Sequence, residues 1–181
     1  MVQYGIAIDL KKCVGCQSCT VACKQENDVK VGFYWNDVNT IGPVGKFPNV
    51  EMYYQSVLCQ HCRDPPCVKA CPTKASHKLK NGVVLVDDKK CFGCGYCIMA
   101  CPYLVRFYNK EKGVVEKCTM CIHLLPLGKL PACVRACTQK ARYFGDLDDP
   151  NSEIYQLIRK RAGRRMLSEM GTNPKVYYFP P

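Results

Sequence analysis

No run of about 18 consecutive apolar residues occurs in this chain of 181 residues, so no segment reads as a membrane-spanning helix. The opening Met1-Val2-Gln3-Tyr4-Gly5-Ile6-Ala7-Ile8-Asp9 holds neither a basic-then-apolar leader nor a twin arginine. We therefore expect no export signal of its own, and a cytoplasmic chain unless a signal-bearing partner carries it folded. Histidines number three, His61, His77 and His123. No serine, histidine and carboxylate pattern suggests hydrolytic or acid–base catalysis. Gly93-Cys94-Gly95 lacks the third glycine of a dinucleotide fingerprint. Acidic residues are scarce, 15 against 26 basic ones, which gives a formal charge of +11.

Cysteine is what the chain has in excess. Its 16 cysteines fall into four groups with none left over. The first is Cys13-x2-Cys16-x2-Cys19-x3-Cys23, and the second is Cys59-x2-Cys62-x4-Cys67-x3-Cys71-Pro72. The third is Cys91-x2-Cys94-x2-Cys97-x3-Cys101-Pro102, and the fourth Cys118-x2-Cys121-x11-Cys133-x3-Cys137. A C-x2-C-x2-C-x3-C-P run is the bacterial ferredoxin pattern, in which three thiolates hold one cubane and the fourth ligates another. Sixteen thiolates then serve four 4Fe-4S clusters, and the chain reads as a short electron wire. Disulfide scaffolds are usually shorter, and C-x2-C cysteines sit too close for easy mutual bridging. Zinc closes a site with two pairs and has no use for the third and fourth thiolates of the long runs, although the irregular fourth group stays open to it. Thioredoxin-like chemistry needs a single C-x-x-C.

The charge fits the same reading. An oxidised cluster with its thiolates carries about −2, so four bring the total near +3 and most of the basic excess becomes counter-charge. Salt-sensitive nucleic-acid binding, the natural reading of a basic chain, loses its motive. Lys12, Lys24, Lys69, Lys74, Lys90, Lys117, Arg135, Lys140 and Arg142 lie near ligands in sequence, where a cation favours the reduced state. About half of them are expected on a solvated surface. His61 and His123 flank ligands as candidates to hydrogen-bond a sulfur or couple a proton. A core of a few short elements is thin, so folding is expected to depend on the clusters.

The repeat is strand, cysteine loop, short helix, an α+β pattern. Strands are predicted at 4–9, 82–87, 105–108 and 114–117, with Asn81-Gly82 as a hairpin turn. Gly15, Gly93 and Gly95 supply loop turns. Residues 28–50, which include the sole tryptophan Trp35, read as a connecting loop that either meets a partner or packs over a cluster. A basic helix capped by Asn151-Ser152 is predicted over 153–170, with Ile154, Leu157 and Ile158 on its apolar face. The apolar 176–181 end reads as a docking tail for another subunit.

End to end, the chain resembles the four-cluster electron-transfer subunit of molybdopterin oxidoreductases, the polysulfide, thiosulfate, arsenate and dimethyl sulfoxide reductase group. The resemblance rests on Ile8-Asp9, Lys12-Cys13-Val14-Gly15-Cys16, Cys59-Gln60-His61-Cys62 and Pro65-Pro66-Cys67. It continues through Lys117-Cys118-Thr119, Pro131-Ala132-Cys133, Gly145-Asp146-Leu147 and Asp149-Pro150. It implies four 4Fe-4S clusters in two ferredoxin-like units, one nested in the other. The outer unit would be 1–27 with 112–150, and the inner unit 51–111, followed by a helix and tail at 151–181. The implied ligand sets are Cys13, Cys16, Cys19 with Cys137; Cys118, Cys121, Cys133 with Cys23; Cys59, Cys62, Cys67 with Cys101; and Cys91, Cys94, Cys97 with Cys71. The outer unit would face a molybdenum or tungsten pterin catalytic subunit and the inner unit a multi-span, quinone-handling membrane anchor. The chain would then be a non-catalytic relay with no small-molecule substrate and no nucleic acid of its own, held at the membrane through its partners. Thr138 departs from the proline usual after the last cysteine. The alternative is a cytoplasmic polyferredoxin-like subunit of a tungsten or hydrogenase-type enzyme.

Overall fold

The computed structural model describes residues 1–181. At its centre is a three-stranded sheet in the order β8–β1–β9. Strand β1 (Tyr4–Asp9) has five consecutive buried residues. It runs antiparallel to β8 (Arg142–Asp146), with Tyr4 opposite Asp146, and parallel to β9 (Val176–Phe179), with Ile6 opposite Val176. A fully buried central strand explains why Ile6-Ala7-Ile8 shows no polar alternation.

Strand β9 corrects the docking-tail expectation. Val176 and Phe179 are fully buried, and Phe179 packs with Ala7, Leu147 and Ile154. An apolar terminus needs burial, and here the open edge of the chain's own sheet provides it. Arg164 and Tyr178 exchange backbone hydrogen bonds of 2.8 and 2.7 Å across the far side of β9. Helix α5 (Glu153–Lys160) is capped by the Ser152 hydroxyl, which accepts from the Tyr155 amide at 3.3 Å. It is shorter than the predicted 153–170. Ala162 takes a left-handed conformation and the Gly163 amide bonds back to the Ile158 carbonyl, a helix-ending turn that brings Gly163 beneath the Phe179 ring.

Residues 28–50 are not a connecting loop. Strands β2 (Asn36–Lys46) and β3 (Asn49–Leu58) form an antiparallel hairpin, with Phe47-Pro48 at its tip and an irregularity between Ile41 and Val44. Gly42-Pro43 and Gly45 are loop signals in sequence, but a two-stranded ribbon tolerates them at a bulge. Trp35 is buried in the main core, the cluster that also holds Cys23, Cys59, Cys62, Cys101 and Cys118, rather than displayed to a partner. Two small hairpins complete the strands: β4 (Ser76–Lys78) with β5 (Val84–Val86), and β6 (Phe107–Asn109) with β7 (Val114–Glu116). Three of these strands are shorter than, or shifted from, the predicted 82–87, 105–108 and 114–117, because Val105 and Arg106 enter the core as irregular chain.

Helix α1 (Ser18–Asn27) packs on α4 (Ala132–Arg135), and α2 (Pro66–Lys69) on α3 (Tyr96–Met99). Four-residue helices have no stability of their own, so packing and the cysteines must hold them. No helix is long and apolar enough to cross a membrane.

Candidate metal centres

Three hollows are each walled by four cysteines. One is lined by Cys13, Cys16, Cys19 and Cys137, with Val38 and Arg142 in its wall. A second is lined by Cys59, Cys62, Cys67 and Cys101, with His61 and Arg106. The third is lined by Cys71, Cys91, Cys94 and Cys97, with Ser76 and Val115. The remaining four cysteines gather where α1 meets α4. There the Asn27 amide lies 3.9 Å from Cys23 Sγ and 3.7 Å from Cys121 Sγ. Cys133 and Cys121 act electrostatically on Cys23, and Cys23 and Cys133 act on Cys118. In every set three cysteines come from one sequence group and the fourth from another.

Helical geometry explains the exchange. Cys19 and Cys23 are both buried, one turn apart on α1, so this helix gives one thiol to each of two sets. The loops before the helices need glycine. At Gly15 (φ 68°) an added Cβ would lie 2.5 Å from the Tyr54 ring, and at Gly93 (φ 73°) 2.6 Å from the Gly113 carbonyl oxygen. Backbone amides then point at sulfur. Ser76 donates to Cys71 at 3.3 Å, Val115 to Cys91 at 3.5 Å, Met120 to Cys118 at 3.4 Å and Ala141 to Cys137 at 3.2 Å. Such bonds favour negative charge on the sulfur.

Ten of the sixteen cysteines are buried, and this governs their thiols. Burial, reinforced by neighbouring cysteines, pushes Cys23 and Cys62 up to about 12 and Cys118 well above its ordinary value. Cys16, near the surface, goes the other way, to about 7, because the Ser18 hydroxyl and then Thr138 favour its thiolate. The Thr138 hydroxyl lies 3.6 Å from Cys16 Sγ, so the residue that departs from proline reaches a sulfur of the same hollow as Cys137. Buried thiols this reluctant to ionise become ligands only where a metal core supplies the opposing charge.

The walls fit a polynuclear core better than a single ion. No three histidine, cysteine or acidic side chains come close enough together to hold one metal ion. Zinc needs its sulfurs at about 2.3 Å from the metal, which makes them near neighbours of each other. Donors also lack acceptors. His61 Nδ1 accepts from the Val84 amide at 3.0 Å, so Nε2 carries the proton, and that buried N–H has no partner. Arg106 Nε and Nη1 and Arg142 Nη1 are likewise buried and unpaired. Sulfide-rich cores would give these donors an acceptor.

Of the nine basic residues near ligands in sequence, Lys117 and Arg142 are buried, Lys24 is half-buried, and the other six are exposed. Arg106 was not legible as one of them, since it stands five residues past Cys101 in an otherwise apolar and aromatic stretch. It donates to Cys67 Sγ at 2.8 Å and to the Ser76 hydroxyl at 3.0 Å. None of the three histidines bonds a cysteine sulfur. His61 takes the Val84 amide, His77 meets the Ala75 carbonyl at 2.9 Å, and His123 meets Glu26 at 2.9 Å. Burial, then Lys117, holds His61 neutral.

The chain is similar to known iron–sulfur proteins. Two family models, each described as a 4Fe-4S dicluster domain, match residues 12–75 and 50–147. A tetrathionate reductase subunit of Salmonella typhimurium is 43% identical over 98% of this chain and 72% of its own length. A sulfite dehydrogenase subunit of Allochromatium vinosum is 42% identical over 99% of this chain and 84% of its own. The arsenate respiratory reductase iron–sulfur subunit of a Shewanella species is 37% identical over 98% and 96%.

Proposed function

This chain belongs to the family of 4Fe-4S iron–sulfur subunits of oxidoreductase complexes, and from that premise we propose that it relays electrons between a molybdopterin catalytic subunit and a quinone-handling membrane anchor. It is an electron-transfer subunit and not itself the catalyst. The observation that carries the reading is the serial arrangement of the four cysteine sets. Arg142 interacts electrostatically with Cys19 and Cys137 on one side and Cys133 on the other, Cys118 with both Cys23 and Cys59, and Arg106 with both Cys67 and Cys97. The sets therefore adjoin in the order Cys13/16/19/137, Cys118/121/133/23, Cys59/62/67/101, Cys91/94/97/71, and each is the ligand set of one of four clusters.

A 4Fe-4S cluster supplies one-electron storage with little change of shape. The polypeptide contributes the rest. It buries the two inner sets, aims amides at sulfur, and lets the outer sets approach solvent at Cys16 and Cys94, both exposed. Phe92 lines the hollow with Cys94, and Phe92, Tyr96, Met99 and Leu104 of the same stretch of chain are 59–84% exposed, apolar surface suited to a docked subunit. The inner unit would meet the membrane anchor there. Packing of α1 on α4, and pairing of β1 with β8, support an outer unit of residues 1–27 with 112–150 enclosing the inner one.

The test is Cys94→Ser in the assembled complex. Electrons delivered directly to the catalytic subunit by an artificial dye should still drive its reaction at near wild-type rate, whereas quinol-linked turnover should fall at least tenfold. Equal retention of both activities would refute a relay through this end.

A further inference from the structure

Four buried cations belong to none of the seven ion pairs of the chain: Arg106, Lys117, Arg142 and Lys175 are 3%, 2%, 6% and 0% exposed. An unpaired buried charge is costly, so each needs buried negative charge close by. Lys175 donates to the Gly82 carbonyl and has Cys59 as its one cysteine neighbour. Arg106, Lys117 and Arg142 instead face cysteines of two sets, each at a different boundary.

Arg142 leaves the start of β8, bonds Asn36 Oδ1 at 2.7 Å and Ser56 Oγ, and has its nearest charge partners in Cys133, Cys19 and Cys137. That is the boundary between the first and second sets of the series. Lys117 donates to the Val84 carbonyl and, at 2.7 Å, to the Cys118 carbonyl, and its thiol partners are Cys59, Cys118 and Cys67. That is the second boundary. Arg106 bonds Cys67 Sγ and interacts with Cys59, Cys97 and Cys101, which places it at the third. Chance burial of surface cations does not give one per boundary. The polar partners that fix them, Asn36, Ser56 and Ser76 with the Val84 and Cys118 carbonyls, are all uncharged acceptors that orient the cation without neutralising it.

We propose that Arg142, Lys117 and Arg106 are positioning charges of the relay, one at each of its three junctions, each raising the electron affinity of the two cysteine-held centres it lies between. The inference rests on the relay reading above. A fixed cation in low dielectric favours the more reduced, more negative state of both neighbours, so an electron crossing the junction meets a shallower barrier on either side.

The experiment is redox potentiometry of the intact complex, followed by electron paramagnetic resonance, with Arg106→Gln, Arg106→Lys and Arg142→Gln. Arg106→Gln is expected to make the two centres beside it about tenfold harder to reduce, which for one electron is ~60 mV. Arg106→Lys should restore most of the shift, and Arg142→Gln should move a different pair of signals. Loss of iron in Arg106→Gln with full iron in Arg106→Lys would also support a counter-charge. Full iron with unmoved potentials would overturn the proposal while leaving the relay intact. So would equal iron loss in both Arg106 variants, which would make side-chain shape the requirement. A wild-type complex without iron would instead defeat the relay reading.

Discussion

Anaerobic removal of iron from the complex-derived chain is expected to abolish its ordered structure, seen as collapse of the far-UV circular dichroism signal and loss of a cooperative thermal transition. Only 52 of 181 residues are buried, and ten of those are cysteines. Three of the five helices have four residues, and six of the nine strands have five or fewer. Structural metal sites contribute on the order of 10 kcal/mol to folding, as much as the whole stability of an ordinary domain. One face of the sheet β8–β1–β9, with α5 against it, packs without cysteine, since Ala7, Leu147, Ile154 and Phe179 form their own cluster, whereas Ile6, Ile8, Val176 and Tyr178 belong to the cysteine-bearing core. Native secondary structure across the whole chain after complete iron removal would show that the apolar core suffices.

Cys23→Ser and Cys118→Ser are expected to extinguish or convert the same one of four paramagnetic signals, although about 95 residues of sequence separate them. Cys13→Ser, only ten residues from Cys23, should affect a different signal and the same one as Cys137→Ser. Each variant should lose or alter about one quarter of the iron, ~4 atoms. The reason is the α1 register, which turns Cys19 toward one set and Cys23 toward the next, beside Cys133 and Cys121. If Cys23 and Cys13 removed the same signal, each sequence group would hold its own cluster and the crossing between units would be wrong.

Much of the site was legible because ligand spacing is a local code. A C-x2-C-x2-C-x3-C run declares its chemistry whatever fold surrounds it, and the four-cysteine hollows use the residues that the runs named. The nested pairing came from family resemblance, because spacing does not say which distant group supplies a fourth ligand. What sequence left hidden was long-range. The β2–β3 ribbon was masked by Gly42-Pro43 and Pro48, loop signals that a two-stranded hairpin absorbs. Strand β9 read as a docking tail for another subunit because its partner, β1, lies some 170 residues away, and no local pattern announces a parallel pairing of that separation. Arg106 was hidden for a similar reason: only the third dimension brings it from β6's approach to Cys67. Helix α5 ended early because Ala162-Gly163 stops it before its basic run does.

The most direct measurement is the iron and acid-labile sulfide content of the anaerobically purified complex, per copy of this chain and after subtracting whatever its partners hold, with the cluster type read by Mössbauer spectroscopy. Four cubanes give ~16 iron and ~16 sulfide. A colourless protein, about half that iron, or zinc in place of iron at any of the four cysteine sets would contradict a four-centre relay.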